Sequence, residues 1–484
     1  PDGLVTGVQT CALPIYNQSM KLSQPYHACP SSMTQVFPLK KSEKPSIFLY
    51  VNMDLVKILK LEELLSQEGC ELLSGYESSW DITPLSLAYS GHQFGYFTNL
   101  GDGRATILGR YKGFDFGLKG SGPTRFSRGG DGLVPLPAAI KETLYAHALS
   151  SLNIPSSRVL SVTYTHKHAQ RDQVWPAAVL CRLMRSSMRI GTIQFASKYL
   201  SINEVTQCLD VAIETLWPSL SGASDKYEQL TIQCMTNWAK LVAQWQSVGF
   251  VHGVLNTDNV SLAYETIDFG PCAFLERVQL NKAFSSIDVY HRYAYANQQK
   301  IIRFNASVFL DAIMGVLKDN HESHDDYHAR YLSAFDTTYL KTMESLSAKK
   351  LGLIHPDIEL WNELLLLCQT LSLDFTQTFA HLTLNVSVLY GLDESLDAWL
   401  NKLKARVEHE GMNPSEREAM MLSGNPMIVL RHDLVNTIIE MCLNHDFSLL
   451  DEVMEILKTP YDSKHYNHPL FKPSITDIVT TCGT

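Results

Sequence analysis

The stretch that decides the fold reads His252-Gly-Val-Leu-Asn-Thr-Asp-Asn259, and Asp268-Phe269-Gly270 follows it nine residues later. A histidine, an asparagine seven residues on and an Asp-Phe-Gly form a pattern with a known chemical use. Asn259 and Asp268 offer hard oxygen atoms, which are the ligands that Mg²⁺ and Mn²⁺ prefer when these ions bridge phosphates. The spacing therefore predicts a metal–phosphate site built from two neighbouring loops.

The layout is that of the catalytic and metal-binding loops of protein kinases, in which an aspartate two residues after the histidine accepts the substrate's proton. Val254 occupies that position and cannot take a proton. Either the chain is not catalytic or another carboxylate accepts the proton. We expect Asp258 to be the general base, with a turn-capping role beside the metal ligands as the alternative. His252 is expected to be a structural hydrogen-bonding residue.

A lysine and a glutamate precede this loop in the order that kinases use. Lys119 ends a short apolar run that passes into glycines, which is typical of a strand leaving into a turn. Glu142 follows within a segment of helical periodicity, in which Ile140 and Leu144 share a face. Such a lysine neutralises phosphate charge, and the glutamate fixes its flexible stem. Each alone would be an ordinary surface charge, but the ordered set predicts a nucleotide site.

Five segments occur in the order found in the selenoprotein O family and resemble it, and the resemblance runs from about residue 35 to the C-terminus. They are Tyr89-Ser-Gly-His-Gln-Phe-Gly95, Leu100-Gly-Asp-Gly-Arg-Ala105, Leu118-Lys-Gly-Ser-Gly-Pro-Thr124, Ser127-Arg-Gly-Gly-Asp-Gly132 and the loop at 252–259. The resemblance implies an α+β, protein-kinase-like two-lobed fold. A β-rich N-lobe would cover about 35–180, a large helical C-lobe about 181–470, and a C-terminal tail 471–484.

The resemblance also implies an activity. Members of that family bind ATP in a flipped orientation and transfer AMP to the hydroxyl groups of Ser, Thr or Tyr side chains of other proteins, with release of pyrophosphate. ATP would be the substrate, Mg²⁺ or Mn²⁺ the cofactor, and hydroxyl-bearing proteins the partners. Three alternatives remain open at this point: UMP transfer from UTP, γ-phosphoryl transfer by a conventional kinase, and a non-catalytic ATP-binding scaffold. The complete metal set at Asp258, Asn259 and Asp268 argues against a scaffold.

The family's nucleotide-contacting positions can be carried over residue by residue. From the residues alone, Gly101-Asp-Gly-Arg104 is more typical of a β-turn than of a phosphate loop, although glycines do let backbone amides approach phosphate. Guanidinium groups make planar, bidentate contacts to phosphate, and two arginines favour AMP transfer over phosphoryl transfer. The ATP-binding residues implied by the resemblance are Gly101, Gly103, Arg104, Lys119, Asp131, Gly132, Arg182, Arg189 and Asp268.

Roles are also predicted for Arg185 and Cys482. Arg185 lies between the two arginines and is expected to make a surface salt bridge. Cys482 corresponds to a position at which the resemblance implies a redox switch that closes the tail onto the catalytic lobe. The usual partner cysteine is replaced near Ser285, and Cys272 is a possible substitute. The alternative for Cys482 is a free thiol in a frayed tail.

Composition limits the class of protein. With 484 residues, 19% charged and 45% apolar, the chain is globular and long enough for a large core. The net charge of −10 argues against nucleic acid or an anionic membrane as partner. No apolar run approaches the roughly 18 residues of a membrane span. The ten cysteines are scattered singly, so no cysteine zinc site or disulfide framework is indicated, and we expect a bacterial cytoplasmic protein.

The first 19 residues need separate treatment. Residues 5–15 resemble the in-frame translation of a sequencing adapter, so that Met20 or Met33 would be the natural start. We therefore expect residues 20–484 to form one unit. Hydrophobic periodicity predicts helices and strands along it. The predictions are helices at 52–68, 137–152 and 228–248, a β-rich region at 85–122, strands at 158–165 and 177–182, and helices beyond about 300.

Overall fold

The computed structural model describes residues 20–318 and 321–474. Helices hold 49% of the chain and strands 16%, and the larger sheet is antiparallel, so the protein is mixed α and β as predicted. Within the two described ranges, no helix combines the length and the hydropathy needed to cross a bilayer. The expectations for residues 1–19 and for Cys482 lie outside the described residues.

The described residues form twelve strands, and ten of these lie before residue 185. They are β1 (Thr34–Val36), β2 (Ile47–Val51), β3 (Leu85–Leu87), β4 (Ser90–Gln93), β5 (Tyr96–Asn99), β6 (Ala105–Tyr111), β7 (Phe114–Lys119), β8 (Val134–Pro135), β9 (Arg158–Gln170), β10 (Val174–Met184), β11 (Phe250–Val251) and β12 (Ala273–Phe274). The main sheet has the order β1-β3-β6-β7-β10-β9-β2, with β8 beside β10. Two small hairpin-like pairs, β4–β5 and β11–β12, stand apart from it.

Fourteen α-helices complete the described part of the chain, and eleven of them follow the main sheet in sequence. They are α1 (Met53–Leu59), α2 (Gln67–Leu73), α3 (Leu136–Ser151), α4 (Ile190–Tyr199), α5 (Ile202–Leu216), α6 (Lys226–Ser247), α7 (Gln298–Leu317), α8 (His324–Leu351), α9 (Ile358–Thr370), α10 (Phe375–Leu384), α11 (Glu394–Glu410), α12 (Pro414–Leu422), α13 (His432–Leu443) and α14 (Ser448–Ile456). The predicted helices at 137–152 and 228–248 correspond to α3 and α6.

The helix predicted at 52–68 is wrong in one respect, because two short α-helices and a 3₁₀ turn replace it. Lys60 adopts a left-handed conformation with φ of 54° and ends α1, and its amide bonds back to Lys57 and Val56. Ile58, which the periodicity placed on the apolar face, is 67% exposed. The break turns Leu61 into the core, where it is fully buried.

Helix α3 lies against the main sheet and joins it to the C-terminal helices. Ile140, Leu144 and Leu149 of α3 are fully buried, and they belong to the same hydrophobic cluster as Trp238 of α6 and Phe309 of α7. Burying each such side chain stabilises the fold by roughly 1.5–3 kcal/mol. One continuous core therefore fixes the sheet relative to the helices that carry the 252–270 loops.

Candidate active site

Strand register places two cations on one face of the main sheet. Lys119 of β7 lies opposite Leu180 of β10, and Arg182 lies opposite Gly117. Residues two apart on a strand share a face, so Lys119 and Arg182 point to the same side of the sheet. Glu142 of α3 meets them there. Its Oε2 lies 2.6 Å from Lys119 Nζ and its Oε1 lies 3.4 Å from the Arg182 guanidinium.

The pairing of β11 with β12 brings the two motif loops together. The histidine loop leaves β11, and the Asp-Phe-Gly residues lead into β12. His252 is fully buried, and its Nε2 lies 2.8 Å from the backbone oxygen of Ile267, directly before Asp268. Burial lowers the pKa of His252. The side chain therefore joins the loops as a neutral hydrogen-bonding group, which agrees with the structural role predicted for it.

Five charged side chains form one connected cluster. Asp268 Oδ1 lies 3.0 Å from Arg182 and 3.4 Å from Lys119, and its Oδ2 lies 2.6 Å from Arg189. Glu142 supplies the second carboxylate. Burial acts to raise the pKa of Asp268, but Arg189, Lys119 and Arg182 hold that pKa well below its ordinary value. Three cations face two carboxylates, so the cluster carries one excess positive charge when all five groups are ionised.

Arg189 reaches this cluster from the N-cap position of α4. Its backbone amide bonds to the Thr192 hydroxyl at 3.1 Å, which caps the helix, and its guanidinium lies 4.9 Å from the centre of the Tyr89 ring. The same guanidinium donates to the backbone oxygen of Asp258 at 2.8 Å. Arg189 thus connects the Asp268 carboxylate to the loop that holds Asp258.

Asp258 is the buried acid of the site. It lies in a 3₁₀ turn at Thr257–Asn259 and is only 5% exposed. Burial raises the pKa of its carboxyl group to about 6, against the lowering effect of Arg189. Within the described residues, its Oδ1 atom has no hydrogen-bond partner. A desolvated carboxyl group with a raised pKa is suited to accept a proton.

The β4–β5 hairpin covers the loop that holds Asp258. His92 donates its backbone N–H to the Thr257 hydroxyl at 2.7 Å, and Phe94 donates its own to the Asn256 side chain at 3.2 Å. Gly91 passes so close that a Cβ on it would lie 2.2 Å from Asp258 Oδ1. The hairpin therefore requires glycine at 91, and it excludes bulk solvent from one side of the carboxylate.

The glycine loop lies beside the turn that follows Lys119. A Cβ on Gly101, which has a φ of 147°, would meet the Phe126 ring at 2.6 Å, and one on Gly103 would lie 3.0 Å from the Phe126 oxygen. The Arg104 backbone oxygen accepts from the Gly120 amide at 2.7 Å. The Arg104 side chain lies within electrostatic range of Asp268 and lowers its pKa.

Asp131 and Gly132 occupy the rim and not the charged cluster. A Cβ on Gly132 would collide with the backbone of Gly122 at 2.1 Å, so glycine is required where these two loop segments cross. Asp131 is exposed and forms a bidentate pair with Arg171 at 2.8 and 3.0 Å. This hydrogen-bonded pair lowers the pKa of Asp131. The sequence grouped Asp131 with the nucleotide residues, whereas the structure pairs it with an arginine outside the cluster.

The two predicted metal ligands are Asp268, in the centre of the cluster, and Asn259, at the end of the 3₁₀ turn that holds Asp258. The Asn259 amide nitrogen donates to the Val254 oxygen at 3.2 Å, which leaves the amide oxygen to face a cation. The Asp268 carboxylate is already bonded to guanidinium and ammonium groups. Both offer hard oxygens, and the set therefore fits Mg²⁺ or Mn²⁺ if a competing anion draws the basic groups away.

Arg185 and Cys272 differ from the cluster residues. The Arg185 guanidinium lies 4.8 Å from the centre of the Tyr264 ring and bonds to the Tyr264 hydroxyl, so it makes an aromatic contact in place of the expected surface salt bridge. Cys272 is a fully buried free thiol, and burial raises its pKa to about 12. Because the thiolate is the reactive form, Cys272 is poorly suited to exchange in this state.

The sequence reasoning missed three residues of the site. Asp102 is 7% exposed, and its Oδ2 accepts the Leu87 amide at 3.0 Å; burial raises its pKa, while Arg189 and Arg182 lower it. Tyr89 packs on Arg189, and Gly91 contacts Asp258. All three lie inside the quoted segments at 89–95 and 100–105. Their positions within those segments could have identified them as site residues. Their contacts, however, depend on the fold.

Comparison with known proteins gives a consistent picture. The chain matches the family model described as protein adenylyltransferase SelO over residues 26–458. A relative from Lachnoclostridium phytofermentans, named protein nucleotidyltransferase YdiU, is 37% identical over 449 residues, which is 90% of this chain and 93% of that protein. Relatives of the same name from Clostridium perfringens strain SM101 and Anoxybacillus flavithermus are each 36% identical, over 92% and 93% of this chain and 94% and 96% of their own lengths.

Proposed function

The chain belongs to the protein adenylyltransferase SelO family, and on that premise we propose that it transfers AMP from ATP to hydroxyl side chains of other proteins. The family and its relatives are named as nucleotidyltransferases, so the chain is an enzyme of that class. One observation supports the assignment most strongly. Lys119, Arg182 and Arg189 converge on the Asp268 carboxylate, next to the buried carboxyl group of Asp258.

The fold proposed for this activity is kinase-like and two-lobed. The β-rich part at about 35–180 would be the N-lobe and the helical part at about 181–470 the C-lobe, with residues 471–484 as a tail. The order of the main parts supports this reading, because a strand lysine, a helix glutamate, a histidine loop and an Asp-Phe-Gly follow one another along the chain. The nucleotide would bind between the sheet and the loops after β11.

The charged cluster is proposed to hold the triphosphate of ATP. The five groups of the cluster carry one excess positive charge, and Arg104 nearby adds a second. The cluster therefore favours binding of an anion. Each hydrogen bond from a charged donor contributes roughly 1.5–3 kcal/mol. Lys119 would be held by Glu142, and Arg182 and Arg189 would contact phosphates that a kinase leaves without such partners. Further nucleotide contacts are proposed at Gly101, Gly103, Arg104, Asp131 and Gly132.

Asn259 and Asp268 are the proposed ligands of Mg²⁺ or Mn²⁺. An ion held by these two residues would supply positive charge that neutralises the phosphates. In the structure, Arg182 and Arg189 bond to the two carboxylate oxygens of Asp268. A triphosphate offers these guanidinium groups another acceptor, and their transfer to it would free the carboxylate. Arg182 and Arg189 would therefore exchange Asp268 for the triphosphate, and Asp268 would exchange the two arginines for the metal ion.

The proposed reaction is a single displacement. The oxygen of a Ser, Thr or Tyr side chain attacks the α-phosphorus of ATP, the bond from that phosphorus to the β-phosphate's bridging oxygen breaks, and pyrophosphate leaves with the bonding electrons. Asp258 takes the hydroxyl proton on its carboxylate. Positioning and charge stabilisation would supply most of the rate enhancement, as in phosphoryl transfer.

Intact-mass measurement after incubation with nucleotide tests the proposal and separates its alternatives. The full chain is mixed with a generic protein acceptor and either ATP or UTP, with Mg²⁺ or Mn²⁺ present. A mass increase of one AMP unit from ATP is expected. An increase of one phosphate would indicate a conventional kinase, and an adduct from UTP alone would indicate UMP transfer. ATP binding without any adduct, on either protein, would favour the scaffold.

A further inference from the structure

A second group of metal-ligating side chains lies on the surface formed by α7 and α8. Asp311 of α7 and His324 and His328 of α8 place one ligand atom each within 4.8 Å of one another. We propose that these three side chains form a binding site for a divalent transition metal such as Zn²⁺, tying α7 to α8. The site shares no residue with the charged cluster and does not depend on the proposed function.

The spacing of the ligand atoms fits a four-coordinate ion. His324 Nε2 lies 3.1 Å and His328 Nε2 lies 2.9 Å from the same oxygen, Asp311 Oδ1. Ligands about 2.0–2.1 Å from a tetrahedral zinc ion are about 3.3 Å apart, so both distances to Asp311 Oδ1 are within a few tenths of an ångström of that spacing. Histidines four residues apart on a helix share a face, and the two rings are stacked with their centres 4.3 Å apart.

The chemistry around the ligands supports a cation. Imidazole nitrogen with one carboxylate selects zinc-like ions, whereas Mg²⁺ requires oxygen ligands. His324 Nδ1 lies 3.7 Å from Asp325 Oδ1, so a further carboxylate adds negative charge beside the ligands. Asp326 adds a further negative charge in the first turn of α8. The remaining coordination position would be taken by water, because Asp311 and His324 are exposed.

Ordinary hydrogen bonding, without a metal ion, accounts for the same contacts. Both imidazoles could simply donate an Nε2–H to Asp311 Oδ1, forming two ordinary hydrogen bonds. Metal binding would replace those two protons with one ion. A zinc site and a pair of ordinary hydrogen bonds differ in whether Asp311, His324 and His328 bind zinc. A direct binding measurement distinguishes them.

Calorimetric titration of the untagged full chain with ZnCl₂ is the test, performed with excess MgCl₂ so that oxygen-ligand sites are occupied. One equivalent is expected to bind through this site. His328→Ala and Asp311→Asn should each weaken it by about 10-fold or more, since each removes a direct ligand. His409→Ala, an exposed helical histidine outside the group, should bind as the wild type does. All variants keep every cysteine, so binding by thiols is common to them.

Thermal unfolding provides the second measurement, because an ion that binds only the folded state raises the melting temperature. Zinc should raise it in the wild type and in His409→Ala, and not in His324→Gln, whose side chain is 56% exposed and unimportant for packing. The proposal is overturned if the wild type binds no zinc, or if the ligand variants and His409→Ala bind it equally.

Discussion

Asp258 illustrates how burial alone can prepare a side chain for proton transfer. Its carboxyl group is 5% exposed, and burial raises its pKa to about 6 while Arg189 opposes the rise. In the free enzyme, the base form increases as pH rises through that value. The proposed role therefore predicts that kcat/KM for AMP transfer is low below about pH 6 and reaches a plateau above it.

Asp258→Asn should remove this dependence together with most of the activity, by about 10²–10⁴-fold. Nucleotide affinity should change little, because the carboxyl group does not belong to the phosphate-binding cluster. Folding provides the control. A pKa raised from 3.8 to about 6 means that stability is lost as pH rises through that interval, so the variant should be more stable at pH 7 by up to about 3 kcal/mol. An active variant with an unchanged pH profile would exclude Asp258 as the base.

The three arginines at 182, 185 and 189 form a matched set for testing the phosphate cluster. Arg182→Gln and Arg189→Gln each remove a cation that contacts Asp268, and each should weaken ATP binding by about 10–100-fold in calorimetry. Arg185→Gln removes an equal charge that lies over Tyr264, and its ATP affinity should remain close to that of the wild type. Equal losses in all three variants would indicate a general electrostatic effect and not a phosphate site.

At the scale of elements, the β4–β5 hairpin is the part that holds the base in place. A Cβ on Gly91 would lie 2.2 Å from Asp258 Oδ1 and 3.0 Å from its Cβ, so Gly91→Ala must displace either the hairpin or the loop. We expect AMP transfer to fall by about 10²-fold or more, since displacements of about 1 Å have that effect, while ATP affinity is largely kept. Rates and affinities are measured on the same preparation.

Gly222→Ala is the control for that substitution, because nothing lies within 4 Å of the added Cβ and the backbone needs no positive φ there. Its rate should equal that of the wild type. If Gly91→Ala also kept its full rate, the hairpin would have no part in positioning Asp258.

Long, periodic elements were the ones that the sequence predicted best. Helix α6 follows its apolar stripe, and α3 is buried on most of its sides, so hydrophobic burial determines both helices. The segment at 52–68 failed because a left-handed residue, Lys60, interrupts a pattern that looked continuous. Periodicity reports which side chains are apolar, and it does not report a change of backbone conformation at a polar position between them.

Some of the active-site contacts could be predicted from the sequence, and others could not. Motif spacing identified Lys119, Glu142 and the arginines, and strand register then brings Lys119 and Arg182 together. The contact of Gly91 with Asp258 joins residues far apart in sequence, and no local pattern contains that information. The pairing of Asp131 with Arg171 was likewise invisible, because it depends on how the β9–β10 hairpin lies beside the loop.

For the whole molecule, a buried ion pair joins the C-terminal helices to the last described residues. Arg431 is 1% exposed, bonds to Asp374 at 2.7 and 3.1 Å, and donates to the Phe471 oxygen at 3.0 Å. Removal of one partner leaves a buried charge without compensation. Arg431→Met should therefore lower the free energy of unfolding by about 3–5 kcal/mol, measured by urea denaturation.

The double variant Arg431→Met with Asp374→Leu provides the control, since it removes both charges. It should recover a large part of the loss, because a buried pair replaced by apolar groups is often neutral or stabilising. A double variant as unstable as the sum of the single variants would mean that the pair makes no direct interaction that stabilises the fold.

The central claim is that the α-phosphate of ATP, and not the γ-phosphate, is transferred to protein. The most direct test is labelling of protein with ATP that carries a radioactive phosphorus at either position, with Asp268→Ala as a control for metal-dependent chemistry. Label from the α-position alone is expected to be retained on protein and to be lost in the variant. Label from the γ-position alone would contradict it and identify a conventional kinase.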